Sequence, residues 1–274
     1  MELPAPVSAK HPMQRLGKNQ GGYFGETVAI SDVLQHIVAT ATRHGWRLEN
    51  FLQTDTLTLP ALHRRSATAT RRIYMSAGIH GDEPAGPAAI LQLLEQNDWP
   101  SDADLWLCPC LNPAGFALNR RENNTGIDLN REYHAPTATE VQAHIRWLDG
   151  QPDFDLALCL HEDWESHGFY LYELNPDGLP SLAEKIIAAV APVCPIDLSP
   201  VIETRPAHGG IVRPDVDPLS RPQWPEAFYL LQHKTRLSYT LEAPSDFPLA
   251  TRTAALATAV KAALQAFTVH REEL

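Results

Sequence analysis

The sequence predicts an α/β fold with a mostly parallel sheet covered by helices on both faces. Apolar runs of strand length occur at about 72–78, 104–110, 156–160 and 236–242. Between them, apolar residues recur at helical spacing, as at Leu182, Ile186, Ile187 and Val190. Strands therefore alternate with helices along the chain, which is the pattern of βαβ units.

Near the start of the pattern, Ser31 stands where it can cap a helix whose apolar face is Val33, Leu34, Ile37 and Val38, with Gly45 as the stop. Residues 46–70 are polar and β-prone and predict one or two edge strands. The run at 72–78 leads through Pro84 into a helix with Ile90, Leu91 and Leu94 on its buried side. Proline suits a first helical turn, where its missing N–H costs nothing. After the strand at 104–110, Thr137 and Glu140 have the spacing of a capping box. The helix they would open buries Val141, Ile145 and Leu148. The strand at 156–160 precedes the Leu182–Val190 helix, and that at 236–242 precedes a last helix striped by Leu256, Val260, Leu264 and Phe267. Residues 195–225 break the rhythm with repeated prolines and the pair Gly209 and Gly210. A loop this long in a compact domain is usually functional or disordered. The expectation is a wall of the active site, anchored by Trp224, Phe228 and Tyr229. Residues 1–25 are expected to form an irregular arm, and 26–274 a single catalytic domain.

A chain of 274 residues can bury a sizeable core. Its formal net charge of −11 disfavours nucleic acid and anionic membrane as partners. No apolar run reaches the ~20 residues of a membrane span, and the N-terminus lacks the charged-then-apolar pattern of a secretory signal. Of the four cysteines, Cys108, Cys110 and Cys159 lie inside apolar runs, as free cysteines do, while Cys194 stands apart. No disulfide framework is suggested, and a cytoplasmic location is expected.

The chemistry collects where the strands end. The run Ile73–Glu83 delivers His80 and Glu83, and the run at 156–160 ends in His161. Open α/β sheets place ligands at the C-terminal ends of strands, and two histidines with one carboxylate suit a catalytic zinc with an open fourth position. A core histidine bonded to backbone is the commoner fate of a lone histidine, so position is what favours His161. Glu162 or Asp163 stands beside it and could orient a ligating ring. Water on such a zinc has a pKa of roughly 7 but still needs a base. Glu242 is the candidate, although alternation in LSYTLEAPS would also allow a solvated strand face. The segment Asn112–Tyr133 has little apolar periodicity and is neither strand nor core helix; it carries Arg121, Asn130 and Arg131. Arginine grips carboxylates in a bidentate fork, so Asn130 with Arg131 suggests a clamp for a substrate carboxylate, and a second arginine could face an oxyanion. A polar surface loop is the plainer alternative.

His-Gly-Asp-Glu at 80–83, Asn-Pro-x-Gly at 112–115, Gly-Ile-Asp-Leu-Asn-Arg at 126–131, His161 and Thr-Leu-Glu at 240–242 occur together in one order. That set resembles the zinc carboxypeptidase (carboxypeptidase A-like) family, with most similarity to its bacterial murein-peptide amidase branch. A related branch, the succinylglutamate desuccinylases and aspartoacylases, uses the same metal triad on N-acyl amino acids. The resemblance implies a three-layer α/β/α sandwich around a mixed, mostly parallel eight-stranded sheet. It implies one zinc on His80, Glu83 and His161, a carboxylate clamp of Asn130 and Arg131, polarisation by Arg121, and Glu242 as general base. The family's mobile tyrosine has only Tyr229 as a counterpart, at a poor spacing.

The expected activity is zinc-dependent hydrolysis of an amide bond next to a free carboxylate in a small peptide. Deacylation of an N-acyl amino acid is the alternative within enzymes. A catalytically inactive zinc- or ligand-binding relative is the alternative outside them. A closed cationic pocket would suit deacylation, and Arg205, Arg213 and Arg221 lie in the 195–225 wall.

Overall fold

A computed structural model of the chain describes residues 15–19, 23–214, 217 and 220–272. Most of the expected N-terminal arm lies outside these residues. The described strands are β1 (Arg47–Gln53), β2 (Thr58–Arg64), β3 (Arg71–Ala77), β4 (Ala103–Cys108), β5 (Leu156–Asp163), β6 (Tyr170–Leu174), β7 (Val201–Ile202), β8 (Arg205–His208), β9 (Ile211–Val212) and β10 (Ser238–Pro244). The helices are α1 (Ile30–Arg43), α2 (Ala85–Gln96), α3 (Pro113–Leu118), α4 (Thr139–Asp149), α5 (Ala183–Val190), α6 (Glu226–His233) and α7 (Leu249–Glu272).

All ten described strands join one mixed sheet in the order β1-β2-β4-β3-β5-β10-β6-β9-β8-β7. The expected α/β class holds, but the sheet has ten strands rather than eight, and it is not mostly parallel. Its centre, β4-β3-β5-β10, is parallel throughout. Both flanks are largely antiparallel, because short hairpins and meanders extend them. The parallel centre is what matters for function, since it brings the ends of β3, β5 and β10 to one edge.

Alternation along the central strands builds two cores. Ile73, Met75, Leu105, Leu107, Leu156 and Leu158 pack with α1, α2, α5 and α7. Tyr74, Trp106, Cys108, Ala157 and Cys159 face the other way, toward α4 and α6. Side chains on a strand alternate faces, so a strand covered on both faces is apolar on nearly every residue.

Several local expectations need correction. Ser31 lies inside α1, whose first flanking residue is Ala29 with no side-chain cap. Thr137 and Glu140 form no capping box. Glu132 instead accepts the Thr137 and Ala138 N–H groups, while Glu140 is buried and accepts from Asn123. Of the predicted edge strands only β1 is an edge; β2 lies between β1 and β4. The 195–225 segment contains β7, β8 and β9, and the Asn112–Tyr133 segment contains α3. No described helix is long and apolar enough to cross a membrane.

Candidate metal centre and its pocket

Strand β3 ends at Ala77, and the chain turns through Gly78, whose φ is +62°. A side chain at Gly78 would also crowd Cys110, Phe116 and Pro87, each 3.1 Å from its Cβ, so glycine answers both demands. The turn delivers His80 and then Glu83. The loop lies against the start of α3 so closely that a Cβ on Gly81 would stand 2.0 Å from the Gly115 carbonyl carbon. Asn112 fastens the contact. Its side-chain oxygen accepts the Gly115 N–H at 2.9 Å, and its Nδ2 donates to the carbonyls of Ile79 at 3.1 Å and Arg121 at 3.2 Å. The Asn-Pro-x-Gly stretch is therefore a brace between the loops that carry His80 and Arg121.

His80, Glu83 and His161 are each at most 4% exposed. Their ligand atoms lie within 4.8 Å of one another. Both histidines turn Nδ1 to the same carboxylate, His80 at 2.5 Å from Oε1 and His161 at 3.0 Å from Oε2 of Glu83. Burial works against charge on Glu83, but the two rings outweigh it and hold the carboxyl below its usual range. Two imidazole nitrogens and one carboxylate are a donor set that fits zinc. The Nε2 of His80 is a buried nitrogen without a hydrogen bond of good geometry, and it stands 3.3 Å from Oδ1 of Asp128. A carboxylate behind a ligating ring is the usual support of a metal-bound histidine.

Asp128 is thus placed where it could support that ring, a position the sequence left unassigned. The two acids suggested for that role are used otherwise. Glu162 accepts the Ala85 N–H and pairs with buried Arg252, and Asp163 accepts from Tyr170 and from the Glu165 N–H. Asp128 also takes the Nε of Arg121 at 2.8 Å. This places an Arg121 Nη1 3.3 Å from Nδ1 of His80 and 3.9 Å from Glu83.

Glu242 stands opposite His161 in the parallel pairing of β10 with β5. It lines the same pocket as the three candidate ligands and is only half-buried. Burial, and then the charges of Glu83, Glu203 and Asp163, push its carboxyl well above the usual range in the metal-free chain. Asn130 sits on a short 3-10 turn, Leu129–Arg131, and its side-chain oxygen accepts the Glu226 N–H at 2.8 Å. Arg131 is exposed, and one of its Nη atoms donates to the Asn130 carbonyl at 2.8 Å.

The pocket that joins these groups has a volume of about 470 Å³. The proline-rich segment supplies Arg205, Pro214, Arg221, Pro222 and Pro225 to its lining, so this segment does wall the site. Arg213 does not contribute; it turns away to ion-pair with Glu173 and Glu184. Tyr229 is buried against Asp149 and is not part of the lining, whereas Tyr172 is, with its hydroxyl donated to Glu203. Glu203 begins a left-handed turn, with φ of 46° there and 65° at Thr204.

Residues 69–190 match the Succinylglutamate desuccinylase/Aspartoacylase catalytic domain. Over 82 residues the chain is 33% identical to murein peptide amidase A of Escherichia coli K12, a stretch that is 30% of this chain and 34% of that protein. The matches cover about a third or less of the curated relatives' own length. Among solved structures, a protein of Shewanella amazonensis SB2B described as a candidate metallopeptidase shares the fold. It gives a TM-score of 0.74 at 24% identity, covering 85% of this chain and 91% of that one. A metallo-carboxypeptidase from Pseudomonas aeruginosa, solved with (2-guanidinoethylmercapto)succinic acid, gives 0.65 at 19% identity, covering 86% and 68%. The resemblance drawn from the motifs therefore holds in sequence and in fold.

Proposed function

With a metallo-carboxypeptidase-like hydrolase fold and a His-Glu-His metal-binding triad as premise, we propose that the chain hydrolyses an amide bond next to a free carboxylate in a small peptide. One observation carries the reading. Glu242, Arg121, Asn130 and Arg131 share a single pocket with His80, Glu83 and His161. Zinc held by those three residues supplies Lewis acidity.

The chain's own groups do the rest. Asn130 has its amide oxygen committed to Glu226, which leaves Nδ2 to donate to a substrate carboxylate beside the Arg131 guanidinium. Arg121, fixed by Asp128, presents its remaining N–H groups to the oxygen that gains charge as water adds to the carbonyl. Glu242 takes the proton of the attacking water and passes it to the leaving amide nitrogen. It must be ionised to begin, and a dication nearby favours that form over the neutral one that burial prefers. Because Arg131 is exposed, leaving the clamp unfilled carries only a modest cost.

Deacylation of an N-acyl amino acid is the second reading. Arg205 and Arg221 in the pocket lining favour it, as does the domain matched at 69–190. An inactive binding relative is disfavoured by the retention of Glu242 and both arginines beside the triad. The test is release of free amine by the zinc-loaded protein from a short peptide and from N-acetylaspartate or succinylglutamate. Release of a C-terminal residue from the peptide is expected. Deacylation without any peptide cleavage would replace the first reading by the second, and turnover of neither would remove both.

A further inference from the structure

Beneath the clamp lies a buried carboxylate that the proposed chemistry does not use. Glu226 opens α6, is 1% exposed, and has no ion-pair partner among the described residues. Its Oε1 accepts the Tyr74 hydroxyl at 2.7 Å and its Oε2 accepts the Ser76 hydroxyl at 2.8 Å, both from β3. The Tyr74 oxygen is also 2.9 Å from Nε2 of His144, and Nδ1 of the same ring is 2.7 Å from the Tyr133 hydroxyl. Burial lowers the His144 pKa to about 3, so this ring is neutral. With Glu226 ionised, the protons then follow by elimination. Tyr74 donates to the carboxylate, His144 donates Nε2–H to Tyr74, and Tyr133 donates to Nδ1.

The chain closes on itself. Tyr133 lies three residues after Asn130, and Asn130 accepts the Glu226 N–H at 2.8 Å. The Tyr133 N–H also bonds the Trp224 carbonyl at 3.2 Å, a second tie between the same two segments. Asn130, Tyr133, His144, Tyr74 and Glu226 thus form a ring that links the clamp turn, α4, β3 and the start of α6.

We propose that Glu226 is a positioning residue for the carboxylate clamp: its N–H fixes the amide of Asn130, and its side chain, held by Tyr74 and Ser76, fixes the helix end that carries this N–H. The inference rests on the reading of Asn130 and Arg131 as that clamp. Without the Glu226 N–H, the Asn130 amide is free to rotate, and Nδ2 no longer faces the pocket by default. Keeping an acid here has a cost, since burial raises its pKa to about 7 with only hydroxyl and thiol donors to offset it. Perturbed groups of this kind concentrate at functional sites.

Two substitutions separate the parts. Glu226→Ala keeps the N–H and removes the carboxylate. Glu226→Pro removes both, and the position accepts proline: it is the first residue of α6, and Pro225 is already extended, with ψ at 164°. The readout is equilibrium binding of N-acetylglycine by the zinc-loaded protein, with N-acetylglycinamide as the uncharged control and thermal midpoints alongside. Wild type is expected to prefer the acid, and Arg131→Ala to lose that preference. Glu226→Pro should weaken the preference about tenfold and Glu226→Ala by less, as expected for lost binding without lost chemistry. The two Glu226 variants should have similar midpoints. If Glu226→Pro keeps the wild-type preference while Arg131→Ala loses it, Glu226 does not position the clamp, and the clamp stands. If Arg131→Ala also keeps it, the clamp reading fails and this inference with it. Should the proline variant not fold, Tyr74→Phe cuts the same ring, and an unchanged preference there overturns the proposal.

Discussion

Glu242 and Glu226 are both carboxyl groups raised by burial, and they differ in what surrounds them. Glu242 opens to the pocket and faces the metal triad; Glu226 is enclosed by neutral donors. Glu242→Gln should retain zinc and fold and lose about 10²–10⁴ in turnover, the usual range for a general base. Steady-state rates beside metal analysis check it, and an active variant would return Glu242 to an ordinary strand residue. For Glu226 the expectation concerns stability. Its pKa rises from the usual 4.5 to about 7 on folding. Between those values the folded chain binds a proton that the unfolded chain does not. The contribution is therefore full below pH 4.5 and is lost as pH rises to about 7, a change of roughly 3 kcal/mol. Glu226→Gln should become more stable relative to wild type by that order between pH 4.5 and 8, measured by urea unfolding. A difference that does not change with pH would contradict it. His80, Glu83, His161 and Glu242 were legible in the sequence because each stands at or near a strand end. Asp128 and Glu226 were not, because neither ends an apolar run and their partners come from distant segments.

At the scale of elements, the site depends on how strand ends are braced. Glu162 follows His161 on β5, accepts the N–H at the start of α2, and pairs with Arg252 of α7, both side chains fully buried. Arg252 also donates to the Phe247 carbonyl and the Tyr23 hydroxyl, each at 2.8 Å. One ion pair thus ties α7 to the loop carrying Glu83 and to the strand carrying His161. Removing one partner of a buried pair leaves the other charge uncompensated, so Arg252→Ala should cost about 3–5 kcal/mol in chemical denaturation. A loss below 1 kcal/mol would show that the pair is not a brace. The central strands were legible from apolar run length. The additions at β6 to β9 were not, since β7 and β9 have two residues each and show no periodicity. The proline-rich stretch gave its role as a wall but not its strands, because prolines mark where regular structure is interrupted and leave open what forms between them.

At the scale of the molecule, a chain of formal net charge −11 gathers Arg121, Arg131, Arg205 and Arg221 around one pocket. The same lining carries Asp82, Glu83, Glu162, Asp163, Glu165, Glu203 and Glu242, so the pocket keeps the acidic balance of the chain and any attraction for a carboxylate is confined to the guanidiniums themselves. The α/β class was readable from alternating periods, whereas strand count and pairing direction were not, because hairpin extensions at a sheet's flanks leave no signal at long range. Every role assigned in this pocket depends on the ion. Zinc content of purified wild-type chain, measured beside His161→Ala, tests for it most directly. One zinc per chain in wild type and almost none in the variant is the predicted result; equal zinc in both would contradict the assignment of His80, Glu83 and His161.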